Sequence, residues 1–101
     1  MIKTSIKKHE IYNFGRFIIW LYKVFPESEI HIFNPGEESS ISVYRKIQYV
    51  LNNLIEENYN KIYANIEKQY LTTCKMAKSM GFKFKKELNN SYLFILEKGN
   101  E

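Results

Sequence analysis

The sequence has no aspartate, a single cysteine and few of the residues that interrupt secondary structure. All 11 of its acidic residues are glutamates, and the chain has only four glycines and two prolines. Cys74 alone cannot form a disulfide within the chain, and together with two distant histidines it gives no metal motif. These absences argue against a disulfide-stapled domain and a cysteine–histidine metal centre, and they favour a reducing compartment.

Long hydrophobic runs are also missing. The longest apolar run spans residues 17–22, whereas a helix needs roughly 20 apolar residues to cross a bilayer. The early lysines are not followed by the continuous apolar segment of a signal peptide. We therefore predict a cytoplasmic protein that does not interact with a membrane.

The residues that are present predict one globular domain with an uneven distribution of charge. The chain of 101 residues is 45% hydrophobic and carries a formal net charge of +4, so we expect a single domain over residues 1–101 with one core. Residues 61–86 contain seven lysines and one glutamate, whereas residues 27–38 contain four glutamates and no lysine or arginine. This asymmetry indicates either an anionic partner near the C-terminal half or an ordinary solvated basic face.

The C-terminal segment predicts a β-hairpin. Residues 91–97 (SYLFILE) are a short run of aromatic and branched residues, and residues 82–85 (FKFK) alternate apolar and charged. Both patterns are typical of strands, and the second predicts that Phe82 and Phe84 point inward. Asn89 and Asn90 lie between the two runs, where asparagine tolerates the positive φ of a turn.

Two helices flank a central strand upstream of this hairpin. Residues 67–80 carry an apolar stripe at helical spacing, and Gly81 follows where the residue after a helix adopts the left-handed conformation. This stripe consists of Tyr70, Leu71, Cys74, Ala77 and Met80, and Cys74 is interpreted as a small buried hydrophobe. Residues 39–58 form the longer predicted helix, with Tyr44, Ile47, Leu51 and Leu54 on its stripe, widened by Ile41, Val50 and Ile55. Residues 59–66 alternate partly and predict a strand.

The first third of the chain fits more than one structure. Residues 14–24 (FGRFIIWLYKV) are rich in branched and aromatic residues, as in a strand, but their apolar residues also recur at helical spacings. We favour a strand, because Pro26 and Ser28 then form a hairpin turn into a strand at residues 29–34. Residues 2–7 predict another strand. The predicted class is α+β, a mixed and mostly antiparallel sheet with two main helices in the order β-β-β-α-β-α-β-β.

Residues 30–40 (IHIFNPGEESS) predict a strand, a tight turn and the start of a helix. Pro35 and Gly36 fit the second and third positions of a type II turn, and Ser39 or Ser40 fits the N-cap. Such a helix start binds phosphate readily because its first NH groups are unpaired. Glu37 and Glu38 supply negative charge there instead, which stabilises the helix by about 0.3 to 1 kcal/mol each and repels a phosphate.

This order of elements resembles the GNAT superfamily, the acetyl-CoA-dependent N-acetyltransferases, over roughly residues 14–97. Residues 74–84 (CKMAKSMGFKF) and 91–96 (SYLFIL) are similar to the last helix, the Gly-Phe pair and the closing strands of that family. Residues 29–47 (EIHIFNPGEESSISVYRKI) are similar to its fourth strand, pyrophosphate loop and third helix. The resemblance implies that an amine attacks the thioester of acetyl-CoA directly, without a covalent enzyme intermediate.

The resemblance also implies a set of site residues. Acetyl-CoA would lie against the fourth strand and the following turn, and the cofactor-binding residues would be Phe33, Asn34, Gly36, Ser39 and Ser40. Glu29 and His31 alternate onto one face of that strand, so either is a candidate catalytic base for the acceptor amine. The alternative interpretation makes Glu29 a solvated strand end and His31 a buried, hydrogen-bonded imidazole.

The sequence departs from the family pattern at three places. The loop contains a single glycine, Gly36, and no arginine or glutamine. Ala77 stands where the family has the tyrosine that protonates the leaving thiolate, so that donor is missing or comes from elsewhere, for example Tyr92 or Tyr44. The first strand and first two helices of the family are absent or reduced to residues 1–13. The apolar surface left open by this reduction predicts a homodimer.

Three functions are compatible with these features. The first is a small N-acetyltransferase that transfers acetyl from acetyl-CoA to an amine such as a protein lysine. The second is a non-catalytic GNAT-fold binding or inhibitor module, a phage-type accessory or anti-defence protein that acts through contact with a protein target. Nucleic-acid binding through the basic and aromatic residues 83–86 is the least favoured, because Phe82 and Phe84 are assigned to the core.

Overall fold

The computed structural model describes residues 1–35 and 39–97. Within these ranges the chain forms a seven-stranded sheet and two helices. The strands are β1 (Ile2–Ile6), β2 (His9–Asn13), β3 (Ile18–Val24), β4 (Glu27–Phe33), β5 (Lys61–Glu67), β6 (Lys83–Glu87) and β7 (Ser91–Glu97), and the helices are α1 (Ser40–Glu56) and α2 (Leu71–Ser79). The α+β class is confirmed, and the structure adds one strand, β2, to the predicted order.

The strands lie side by side in the order β1-β2-β3-β4-β5-β7-β6. Neighbouring strands are antiparallel, except that β4 and β5 are parallel. A parallel pair requires a crossover connection, and α1 provides it. The carboxyl ends of β4 and β5 therefore lie at the same edge of the sheet, and α1 and α2 both start from that edge.

One face of the sheet, here called the helix face, carries the core. Alternate strand residues on this face are buried in one cluster with the buried residues of both helices. The strand members are Tyr12, Ile19, Leu21, Ile30, Ile32, Ile62, Ala64, Ile66 and Phe94. Both helices therefore pack on this side of the sheet.

The opposite face, here called the open face, is covered by no helix in the described part of the chain. It presents the other alternate residues of β1 to β5 and β7, and several large apolar side chains on it are exposed. Those at least 45% exposed are Ile2, Ile6, Trp20, Val24 and Phe33. This is the apolar surface from which a homodimer is predicted. Neither described helix is long and apolar enough to cross a membrane.

The first helix begins and packs largely as predicted. The Ser39 hydroxyl accepts a hydrogen bond from the backbone NH of Ser42 at 3.2 Å, so Ser39 is the N-cap. The buried residues of α1 are Val43, Ile47, Val50, Leu51 and Leu54. Tyr44 and Ile41 were predicted on this stripe, but they are 43% and 66% exposed because the stripe also includes Val43 and is rotated away from them.

The second helix ends in a Schellman motif. Gly81 has a φ of +100°, the NH of Phe82 donates to the carbonyl of Ala77 at 3.0 Å, and the NH of Gly81 donates to that of Lys78 at 3.1 Å. The predicted end of the helix is confirmed. Its predicted start was wrong, because β5 continues to Glu67 and Leu71 is 63% exposed.

Phe82 is buried as predicted, but Phe84 is 53% exposed. The inward position predicted for Phe84 was wrong because β6 is the edge strand and α2 leaves it partly uncovered. Cys74 is buried, and this burial raises the pKa of its thiol while the charge of Lys78 opposes the shift. Cys74 therefore stays a neutral thiol, as expected of a small hydrophobic residue.

The strand predicted between residues 14 and 24 is confirmed as β3, which begins at Ile18. Gly15 lies before it with a φ of +93°. The missed strand, β2, pairs with β1 through a two-residue connection at Lys7 and Lys8, and Lys7 adopts a positive φ of 54°. The sequence gives no glycine or asparagine signal for that turn, which is why β2 escaped prediction.

Candidate functional site

The two parallel strands separate at their carboxyl ends. The β4–β5 ladder ends at the pair His31 and Asn65. Beyond it, Ile32 and Phe33 remain paired with β3, whereas Ile66 and Glu67 remain paired with β7. The two strands thus diverge at their carboxyl ends, and it is outside the carboxyl ends of strands that open sheets with parallel strands typically bind ligands.

A cleft of about 450 Å³ opens at this gap. Its lining residues are Ile18, Trp20, His31, Ile32, Phe33, Asn65, Glu67, Asn90 and Ser91. Most of them belong to the open face, and we call it the open-face cleft. Ile32 is a buried helix-face residue that also borders the cleft, next to the point where the β4–β5 ladder ends.

Trp20 forms one wall of the open-face cleft and is 46% exposed. Its Nε1 donates a hydrogen bond to Nδ1 of His9 at 3.0 Å. Its ring centroid lies 5.5 Å from that of His9 and 5.7 Å from that of His31. The indole is therefore held between two imidazoles.

The two predicted catalytic bases lie together on the open face. His31 Nε2 is 3.8 Å from Oε2 of Glu29, and the two side chains are 38% and 51% exposed. His31 lines the cleft and Glu29 stands behind it, so a protonated His31 would form an ion pair with this carboxylate. His31 is not the buried imidazole of the alternative interpretation, and its catalytic role stays a prediction.

A second cleft lies on the other side of the sheet, between α1 and α2. This helix groove has a volume of about 550 Å³ and is lined by Ser40, Ile41, Tyr44, Arg45, Thr72, Lys75, Met76 and Ser79. Arg45 also lines a neighbouring depression of about 360 Å³ together with Lys46 and Ser39. Cationic side chains thus converge near the start of α1, where the helix dipole adds positive potential.

The predicted cofactor-binding residues divide between these two clefts. Phe33 is 52% exposed and lines the open-face cleft, whereas Ser39 and Ser40 stand at the start of α1 on the helix side. Asn34 directly follows Phe33 in the chain, and its exposed fraction is 8%. Gly36, with Glu37 and Glu38, lies outside the described residues. The cofactor contacts of all five residues stay predictions.

The position of the family's proton donor and the two alternative donors all lie on the helix side. Ala77, at the family's position, is buried in α2 and has no hydroxyl group. Tyr44 lines the helix groove. Tyr92 lies in a different groove beside Cys74 and Phe84, with Lys68 Nζ 5.4 Å from its ring centroid. Neither tyrosine lines the open-face cleft.

Five residues of the two clefts were not predicted from the sequence: Trp20, Asn65 and Glu67 in the open-face cleft, and Arg45 and Lys75 in the helix groove. The hairpin signal at Pro26 could have identified Trp20. A two-residue loop pairs Val24 with Glu27, and the same antiparallel register then places Trp20 directly opposite His31. The positions of the other residues depend on the β4–β5 register and on helix packing. No group of three or more histidine, cysteine or glutamate residues in the described ranges could hold a metal ion.

The fold matches those of solved acetyltransferase structures. A spermidine N-acetyltransferase SpeG chimera of the Vibrio cholerae and human enzymes aligns with a TM-score of 0.69, at 12% identity over 88% of this chain and 65% of that one. A probable GNAT-family acetyltransferase of Chromobacterium violaceum also aligns at 0.69, with 13% identity over 91% and 58% of the two chains. Campylobacter jejuni PseH in complex with acetyl coenzyme A aligns at 0.65, with 14% identity over 93% and 71%.

This chain spans less than two thirds of the length of the SpeG chimera and of the Chromobacterium protein. Neither a protein-family model nor a curated protein matches the sequence. At identities of 12 to 14%, the likeness rests on the fold. The resemblance stated from residues 14–97 is thereby confirmed, and the chain has the GNAT acetyltransferase fold.

Proposed function

We propose that the protein transfers an acetyl group from acetyl-CoA to an amine. The observation that carries this proposal is a pair of clefts on opposite faces of the sheet. One is a cationic groove between α1 and α2, and the other is the cleft at the β4–β5 gap, whose lining includes the carboxylate of Glu67. The acetyl donor is a polyanion and the acceptor amine is a cation at neutral pH. The two clefts therefore have the charges that the two substrates require, and PseH was solved with acetyl-CoA on the same fold.

The helix side of the sheet suits the donor. Arg45, Lys46 and Lys75 line the helix groove and the depression beside it, and they would contact the phosphate groups of the donor. The backbones of residues 32–33 and 66–67 face each other beyond the end of the β4–β5 ladder and would flank an extended chain. Ser39 already caps the helix through its hydroxyl, so it would contribute its backbone NH to a phosphate.

The open side of the gap suits the chemistry. Acetyl-CoA supplies the activated acetyl group as a thioester. The amine nitrogen bonds to the acetyl carbon, the carbon–sulfur bond breaks, and the sulfur leaves with the electron pair. His31 lines the cleft and accepts the proton of the amine, while Glu29, 3.8 Å away, orients and stabilises the charged imidazole. Glu29 is thus a positioning residue in this proposal.

Thermal denaturation in the presence of acetyl-CoA tests the proposed function. A ligand at 100 times its dissociation constant stabilises the folded state by about 2.7 kcal/mol, which raises the melting temperature of a chain this size by about 10 °C or more. We expect such a shift with acetyl-CoA and with coenzyme A, and none with acetate. An unchanged melting temperature at millimolar acetyl-CoA would refute the proposal.

A second candidate is the non-catalytic binding module. Buried Ala77, which offers no proton donor, and the exposed apolar side chains of the open face favour it. Such a module would bind a protein target and would show neither an acetyl-CoA shift nor release of coenzyme A. Turnover measured with a thiol reagent separates the two functions. The phage-type accessory role predicted from the sequence belongs with this candidate, and the cytoplasmic location is a proposal for either function.

The homodimer predicted from the sequence is a separate proposal. Ile2 and Ile6 lie on the open face of edge strand β1 and are 69% and 61% exposed. A second copy that covers them would lower the cost of their hydration. Sedimentation equilibrium of the wild type and of Ile6→Lys tests this point. A wild type that stays monomeric at high micromolar concentration would contradict it.

A further inference from the structure

We infer that the acceptor is a small cationic amine carried on an apolar stem, held on Trp20 in the open-face cleft with its positive charge balanced by Glu67. This inference rests on the proposed function and adds the chemical class of the substrate. The evidence for it is the composition of the cleft, the way in which Trp20 is held, and the contrast with the helix groove.

The open-face cleft has apolar walls and an acidic rim. Ile18, Trp20 and Phe33 supply the apolar surface, and Glu67 supplies a carboxylate. No lysine or arginine is among the described residues that line it, whereas the helix groove contains both Arg45 and Lys75. An anion is therefore disfavoured in this cleft, and a cation with an apolar portion complements it.

Trp20 is well placed to bind a cation. An indole attracts an ammonium group more strongly than the other aromatic side chains do. The bond from its Nε1 to His9 and the contact with His31 on the other side restrict the rotation of the ring. A ring that is already ordered loses little entropy when a ligand binds. His9 is thus a positioning residue for Trp20.

The same surroundings prepare the amine for attack. An alkylammonium ion must lose a proton before it can act as a nucleophile, because its nitrogen has no free lone pair. Trp20 and Glu67 hold the amine as a cation, so a base must take up its proton before the nitrogen can attack. His31 lines the same cleft and accepts that proton.

The size of the cleft agrees with a small acceptor. About 450 Å³ lies within the range of small-molecule sites, which runs from about 300 to 1,000 Å³. The cleft accommodates one amine with a short aliphatic or aromatic stem. Asn65, Asn90 and Ser91 line it as well and offer hydrogen-bonding groups to polar substituents of the ligand.

Tryptophan fluorescence provides the test, because Trp20 is the only tryptophan in the chain. The full chain, without acetyl-CoA, is titrated with hexylammonium, with 1-hexanol, with hexanoate and with methylammonium. We expect a saturable change with hexylammonium, weaker binding of hexanol and methylammonium by about fivefold or more, and no saturation with hexanoate. Hexanoate binding as tightly as hexylammonium, or no saturable change with hexylammonium, would overturn the inference.

Two matched variants distinguish the effect of the Glu67 charge on amine binding from the effect of the total charge of the open face. Glu67→Gln is expected to weaken hexylammonium binding about tenfold and to leave hexanol binding unchanged. Glu27→Gln is the control, because Glu27 lies at the other end of β4 and does not line the cleft. Equal effects of the two variants would contradict the role of Glu67.

The acetyl-CoA thermal shift on the same preparation distinguishes the two proposals. A shift without amine binding at Trp20 refutes this inference and leaves the proposed function intact. Amine binding without a shift refutes acetyl transfer. Both failures together would favour the non-catalytic module.

Discussion

The two faces of the sheet differ in almost every physical property. On the helix face, side chains such as Phe94 are buried under α1 and α2, and the groove between the helices is cationic. On the open face, Trp20 is half exposed, and the lining of the cleft includes the imidazole of His31 and the carboxylate of Glu67. The sheet thus separates a groove lined by Arg45 and Lys75 from a cleft lined by Glu67, and that cleft lies where β4 and β5 separate. The predictions below test this division of roles.

The largest expected effect concerns the proposed base. Replacing His31 with glutamine removes the proton acceptor and should lower kcat by about 10² to 10⁴. Glu29→Gln should lower kcat only about tenfold and alter its pH profile, because Glu29 acts through His31. Coenzyme A release from acetyl-CoA in the presence of hexylamine measures both. Equal losses in the two variants would make Glu29 a direct participant.

Substitutions on the helix face should lower the free energy of unfolding far more than substitutions on the open face. Phe94→Ala empties a fully buried position on the helix face and should cost about 3 to 5 kcal/mol in the free energy of unfolding. Trp20→Ala should cost about 1 kcal/mol, because nearly half of the Trp20 side chain is exposed. Urea denaturation followed by circular dichroism gives both values. Similar costs would indicate that the open face is covered in solution.

The helix groove should govern donor affinity. Arg45→Glu reverses a charge at the start of α1 and should weaken acetyl-CoA binding about 10- to 100-fold, measured by titration calorimetry. Lys85→Glu makes the same change of net charge on edge strand β6, outside both clefts, and should leave the affinity within about twofold. Comparable losses would mean that only the overall charge matters.

The smallest effect concerns an ion-pair network at the far end of the molecule. Lys23 Nζ lies 3.0 Å from Glu10 and 2.8 Å from Glu57. Partial burial acts to lower the pKa of Lys23, but its hydrogen bonds and ion pairs with Glu57 and Glu10 outweigh this and raise the pKa above its usual 10.5. This network ties β2 and β3 to the end of α1.

The sign of the pH dependence follows from that direction. The folded state binds the Lys23 proton more tightly than the unfolded state, so the stabilisation is complete below pH 10.5 and is lost as the pH rises through the folded value. Denaturation between pH 9 and 12 should show a shallow loss that is reduced in Lys23→Met. A variant with an identical profile would assign the loss to other groups, such as Lys3 with its raised pKa.

Residue patterns correctly predicted those helix ends that are determined by neighbouring residues in the chain. Gly81 ends α2 because only a residue that tolerates positive φ fits there, and Ser39 caps α1 because its hydroxyl accepts a hydrogen bond from a free backbone NH. Both signals lie within a few residues of the structure that they specify. The β1–β2 hairpin lacked such a signal at Lys7, and the exposure of Phe84 depends on the position of β6 at the sheet edge.

The candidate site was only partly predictable for the same reason. Alternation along β4 placed Glu29 and His31 on one face, which the structure confirms. Trp20, Glu67 and Arg45 come from β3, β5 and α1, and their approach to the gap depends on the strand order and register. The β-α-β order around α1 favours a parallel pair but fixes neither its register nor the point where it ends, so a cleft that both strands line could not be located from the sequence.

The sequence by itself determined the α+β class, most element boundaries and the resemblance to the GNAT fold, because periodicity, caps and turns act over a few residues. Only the tertiary structure decided that no helix in the described part of the chain covers one face of the sheet, that β4 and β5 separate after His31 and Asn65, and that Arg45 and Lys75 line a groove on the opposite face from Glu67. These features arise from contacts between residues distant in the chain, which form only when the helices pack on one side of the sheet and bury its apolar face.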